Sequence, residues 1–141
     1  MTSLLTEGFK CRVSSVLNKN TKEYGKDNMF DKTEDTCWNS HQGTPQFVVI
    51  QFPQGDGVKV TELQIMFQGG FVGKDCEILF NTAEQKEFQH LQYFYPKDIN
   101  TLQSFPNNEN PQQTGIKELK IIFPTSTDFF GRITIYKLDV L

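Results

Sequence analysis

The sequence predicts an all-β fold, two antiparallel sheets packed as a β-sandwich, on three observations. Apolar residues alternate with period two in three separate stretches. Clusters of turn-forming residues break the chain at short intervals, which suits strands better than helices. Aromatic residues make up 13% of the 141 residues, enough apolar material that a single sheet would leave one of its apolar faces in water. At this length one core is expected, so the chain reads as a single domain over residues 1–141.

Turn clusters run from Asn18 to Asn28 and from Asn39 to Pro45. Val48, Ile50 and Phe52 then alternate with Val49 and Gln51 up to a turn at Pro53 to Gly57. Leu63, Ile65 and Phe67 alternate with Gln64 and Met66 before the turn cluster Gln68 to Lys74. The Gly69-Gly70 pair there suits a tight turn far better than a phosphate cradle. From Thr82 to Tyr95 a helical face (Glu84, Phe88, Leu91, Tyr95) competes with a dense aromatic run typical of strands. The expectation is a short helical turn near Ala83 followed by a strand. Beyond Pro106 to Gly115, Leu119, Ile121 and Phe123 alternate with Lys120 and Ile122, and Pro124 to Asp128 turn again. In the last segment Ile133 and Ile135 share one parity while Tyr136, Leu138 and Val140 share the other, which calls for a β-bulge.

Composition and motifs remove several functions. A net charge of −3, with no run of five like charges, lacks the footprint of a nucleic-acid binder, so no direct nucleic-acid contact is expected. Nothing approaches the ~18 apolar residues of a membrane span. Met1 to Glu7 lacks the basic start and apolar stretch of a signal peptide, giving a cytosolic or nuclear expectation. Cys11, Cys37 and Cys76 have no CxxC spacing and read as reduced thiols. No GxSxG, GxxxxGK[ST], HExxH or GxGxxG occurs, and His41 and His90 are the only histidines. A Cys37/His41 dyad lacks any visible partner to orient His41, so no enzyme and no cofactor are expected.

The most distinctive stretch is Phe30 to Ser40. Asp31 and Thr36 can staple a loop's donors while Trp38 fills the core beneath. The competing reading is calcium, with Asp31, Glu34, Asp35 and Thr36 as oxygen ligands; the staple is preferred, leaving Asp31 and Thr36 as weak metal candidates.

The run Phe30-Asp31-x4-Thr36-x-Trp38, then Gln46 to Phe52, then Val60 to Gly69, resembles the discoidin or coagulation factor V/VIII C-type family. The fit covers about 14–140, taken as the core, and the resemblance implies a discoidin-like, galactose-binding-like jelly-roll sandwich. Ser14 to Thr21, Thr36 to Ser40, Phe67 to Phe71, Phe94 to Pro96 and Thr127 to Arg132 resemble in particular a small intracellular branch that associates with an orphan nuclear receptor. This implies a non-catalytic protein-interaction module, nuclear and also cytoplasmic, that represses the receptor by hindering its contact with DNA. The alternative implied by other branches is a carbohydrate- or phospholipid-binding module. Lys137 falls where sugar-binding relatives place a calcium-binding Glu, which weighs against calcium.

Binding is expected on a loop rim carrying Tyr24 and Phe71, with Lys74 and Arg132 as further candidates. Phe71 either projects beyond Gly69-Gly70 or folds back over the sandwich edge. Asp128 is expected to tie its turn, Gly131 to relax it, and Phe129 or Phe130 to anchor the final strand. Arg132 either offers its planar fork to an acidic partner or bridges a neighbouring carboxylate.

Overall fold

The computed structural model describes residues 2–141; those parts of the domain and N-terminal expectations that fall on Met1 lie outside it. Eleven strands form among the described residues: β1 (Lys10–Val13), β2 (Trp38–Asn39), β3 (Gln46–Gln51), β4 (Glu62–Phe67), β5 (Gly73–Lys74), β6 (Cys76–Thr82), β7 (Gln89–Phe94), β8 (Leu102–Pro106), β9 (Ile116–Phe123), β10 (Thr125–Ser126) and β11 (Thr134–Val140). One sheet has the order β1-β3-β9-β6-β7 and the other β2-β11-β4-β8, with β5 and β10 pairing separately. All pairs are antiparallel.

Parity decides what faces inward. In the larger sheet Val48, Ile121 and Ile78 stand side by side, as do Ile50, Leu119 and Phe80, and all six are buried. Opposite them Leu63 pairs with Val140, Ile65 with Leu138 and Phe67 with Ile135, again all buried. Ile135 and Leu138 are three residues apart yet share a face. The register slips between Ile135 and Lys137, so the bulge read from the parity switch is present and absorbs the extra residue at Tyr136. No helix among the described residues is long and apolar enough to cross a membrane.

The helical turn expected near Ala83 does not form. Thr82 Oγ1 accepts from the Gln85 backbone N–H at 3.1 Å, as a cap would, but Thr82 N–H also donates to the Gln85 carbonyl at 3.0 Å, closing a tight turn between β6 and β7. Two strands already paired leave no room for a helix between them. The one α-helix among the described residues, α1 (Thr21–Tyr24), lies in the expected turn cluster. Asn20 Oδ1 accepts from Glu23 N–H at 3.2 Å and Asn20 Nδ2 donates to Glu23 Oε2 at 3.0 Å, a reciprocal cap, and the helix ends at Gly25, whose backbone turns extended and where a Cβ would strike the Thr21 carbonyl.

The side of the sandwich between β7 and β8 is closed by residues 107–110. Gln92 Oε1 accepts from the N–H groups of Asn108 (2.6 Å) and Glu109 (3.0 Å), Glu109 Oε2 accepts from Tyr93 N–H (2.6 Å), and Asn110 Nδ2 donates to the Leu91 carbonyl (2.6 Å). His90 lies between two carboxylates, Nδ1 at 2.7 Å from Glu77 and Nε2 at 2.9 Å from Glu109. Ionised carboxylates only accept, so this pairing favours the doubly protonated ring, and the His90 pKa is raised, by the Glu109 hydrogen bond first and by Glu77 next.

Two outcomes follow from this packing. Trp38 is wholly buried, its ring 6.5 Å from that of Phe123, so Trp38→Ala should cost about 3–5 kcal/mol in chemical denaturation; an unchanged midpoint would refute the core assignment. His90 contributes stability present below its unfolded pKa of about 6.5 and lost as pH rises through its raised folded value. The stability difference between wild type and His90→Gln should therefore shrink as pH rises above about 6.5, which denaturation across that range measures.

Candidate functional site

One end of the sandwich collects the connections 40–45, 68–72, 95–101 and 127–132, and side-chain bonds fix each of them. Ser14 Oγ and Ser15 Oγ both donate to Gln46 Oε1, while Gln46 Nε2 donates to the carbonyls of His41 (3.1 Å) and Gly43 (2.7 Å). Gly43 N–H in turn donates to the Phe130 carbonyl at 2.8 Å. A Cβ on Gly131, whose φ is +79°, would lie 2.9 Å from the Gly43 backbone, so the contact requires glycine. Asp98 Oδ1 accepts from Gly70 N–H and Asn100 Oδ1 from Gly69 N–H, each at 2.7 Å. Thr127 Oγ1 accepts from Val72 N–H at 3.0 Å.

On this base sits a stack of aromatic rings and one cation. The Arg132 guanidinium lies 5.0 Å from the Phe71 ring centroid and 5.7 Å from that of Phe130. Phe130 meets Phe129 edge to face at 5.3 Å. Asp128 neutralises the arginine: its Oδ2 accepts from Arg132 Nε (2.9 Å) and from the Arg132 backbone N–H (3.0 Å), and its Oδ1 from Nη2 (3.3 Å). The Arg132 hydrogen bond holds the Asp128 carboxyl below the usual carboxylate range.

The expectation that Phe129 or Phe130 anchors the final strand is corrected here. Phe129 is 94% exposed and Phe130 53% exposed. The turn ends at Gly131 on the Gly43 backbone, which keeps both rings on the outer side, and Ile133 enters the core instead. Asp128 does tie the turn, and Arg132 takes the bridge to a neighbouring carboxylate. Phe71 is half-buried under Arg132, and Lys74 is exposed on β5. Tyr24 is half-buried on α1, and no hydrogen bond or ring contact among the described residues joins it to Phe71. Tyr95 (67% exposed) and Ile99 lie on the 95–101 connection that holds Gly69 and Gly70.

The remaining candidates lie elsewhere. Cys37 is half-buried with its thiol pKa raised by burial, and no hydrogen bond joins it to the exposed His41. Burial also pushes the Cys11 thiol up to about 12 and the Cys76 thiol higher still, so these are poor nucleophiles. Asp31 Oδ1 accepts from Thr33 N–H (3.1 Å) and Thr33 Oγ1 (3.2 Å), and Oδ2 from Thr36 Oγ1. That is a staple, and the Thr36 hydrogen bond lowers the Asp31 pKa. Lys137 Nζ sits 3.3 Å from Glu34, so one of the carboxylates of the calcium reading is paired with a cation. No group of three or more His, Cys, Asp or Glu among the described residues converges as a metal site. Millimolar calcium should therefore leave the melting temperature unchanged; a calcium-dependent rise would overturn the staple assignment.

No protein-family model matches the chain. It is 50% identical over 139 residues to the Danio rerio nuclear receptor 2C2-associated protein, spanning 99% of this chain and 94% of the relative. It is 46% identical over 131 residues to the Homo sapiens protein of the same name, spanning 92% and 88%. Among solved structures it superposes on an F5/8 type C domain from Bacteroides fragilis with TM-score 0.81 at 13% identity, over 99% of this chain and 94% of that one. It superposes on the family 32 carbohydrate-binding module of Clostridium perfringens NanJ, solved with galactose, with TM-score 0.77 at 16% identity, over 99% and 97%. The structural likeness establishes a discoidin-like, galactose-binding-like β-sandwich. With full-length identity of up to one half, the chain belongs to the family of nuclear receptor 2C2-associated proteins.

Proposed function

We propose that this chain is a non-catalytic interaction module that binds an orphan nuclear receptor, in the nucleus and with a cytoplasmic pool, and represses it by hindering its contact with DNA. The observation that carries the reading is the 43–50% identity, over nearly the whole chain, with proteins named for association with nuclear receptor 2C2. The chemistry of the site supports it. Burial raises the pKa of all three thiols and no hydrogen bond among the described residues joins Cys37 to His41, whereas one end of the sandwich presents exposed aromatic side chains on a braced backbone. A net charge of −3 repels a phosphate backbone, so interference with DNA binding acts through the receptor.

A gel-shift titration of full-length nuclear receptor 2C2 on its DNA response element tests this. Added chain should lower the receptor–DNA complex in proportion to its concentration without shifting free DNA. A receptor–DNA complex that persists while the chain is demonstrably bound would sink the repression mechanism.

A further inference from the structure

Phe129, at 94% exposure, presents more of its surface to water than any other large apolar side chain described, and its neighbour Phe130 is more than half exposed. Exposing two adjacent phenylalanines costs solvation free energy and risks aggregation, yet several contacts combine to hold this turn in place. Asp128 bonds both the backbone and the side chain of Arg132, the Phe130 carbonyl is held by Gly43, and Gly131 rests on the Gly43 backbone. Thr127 is tied to Val72 through both its backbone and its hydroxyl. The tip is therefore pre-organised, which lowers the ordering cost of binding.

The chemistry around the tip says what it fits. Arg132 is the one cation in the stack, and the Asp128 carboxylate holds its Nε and Nη2 and offsets its charge, so the rings stand beside a paired ion and not a free charge. A lipid headgroup region would require an excess of cations, but Lys74 is followed by Asp75 and Lys97 by Asp98. What remains is an uncharged aromatic projection on a neutralised base. Such a projection suits the centre of a protein interface, where a buried aromatic anchor fills a pocket on the partner.

We infer that Phe129 and Phe130 form a hydrophobic anchor that inserts into a concave apolar pocket of the nuclear receptor, with Phe71, Arg132 and Asp128 as its rigid, internally neutralised base. This rests on the receptor reading above and adds where and by what chemistry contact is made.

The test is calorimetric titration of full-length nuclear receptor 2C2 with wild type, Phe129→Ala/Phe130→Ala, Phe129→Leu/Phe130→Leu, and the distal variant Glu84→Ala on the β6–β7 turn. The alanine pair should weaken binding at least about thirtyfold, an anchor-sized effect, with an unchanged melting temperature because both rings are solvent-facing. The leucine pair should retain most of the affinity, since a pocket asks for apolar volume whereas a sugar needs a flat ring. Glu84→Ala should bind as wild type. Raising salt from about 0.1 M to about 0.5 M should change the wild-type affinity by less than about threefold. Full affinity in the alanine pair, or a steep loss with salt, would overturn the anchor and leave the receptor reading standing. Failure of wild type to bind would overturn both. Binding of galactose, or of phosphatidylserine vesicles, that disappears in the alanine pair would assign the tip to that ligand and overturn the anchor.

Discussion

The exposed rim depends on a hydrogen bond made deep in the sandwich. Trp38 is completely buried and carries one polar group, an indole N–H that would be costly to leave unpaired. It donates to the Ser15 carbonyl at 2.9 Å, which pins the connection after β1 against the smaller sheet. The Ser15 hydroxyl, held there, accepts from His41 N–H and donates to Gln46. Gln46 then fixes the loop through Gly43, and Gly43 supports the turn that carries Phe129 and Phe130. The position of two water-facing rings is thus set through a relay of main-chain and side-chain bonds that begins in the core.

Strands that face the core on one side were legible in the sequence because their period of two is imposed by burial itself. Val48 with Ile50, Ile65 with Phe67 and Ile121 with Phe123 all fall where alternation places them. Even the irregularity in β11 was visible, since a change of parity between Ile135 and Leu138 has few structural solutions. The misses have a common cause. The turn at Ala83 and the helix at Thr21–Tyr24 are decided by reciprocal bonds of Thr82 with Gln85 and of Asn20 with Glu23, and only the second left a readable trace, the Asn-x-x-Glu spacing.

The candidate site was less legible still. Phe129-Phe130 could have been flagged, because adjacent side chains beside a Gly in a turn rarely both reach a core. Nothing in the sequence, however, said that Gly43 and Gly131 would meet across some ninety residues and hold both rings outward. Gln46 also escaped notice. It reads as an ordinary strand residue, and its role appears only once Ser14, Ser15 and His41 are folded around it. Electrostatic pairing was more legible: a bridge from Arg132 to a neighbouring carboxylate was one of its two expected fates, and Asp128 supplies that carboxylate.

The closure at residues 107–110 bears on what the border of the larger sheet can recruit. β7 is the outermost strand of its sheet, and an outermost strand offers a row of unsatisfied peptide groups that can recruit another polypeptide. Here the Glu109 carboxylate takes the Tyr93 N–H and the Asn110 amide takes the Leu91 carbonyl, one acceptor and one donor placed where a neighbouring strand would put its own. Two side chains imitate a missing strand. This stretch of the border is closed to templated growth without lengthening the sheet.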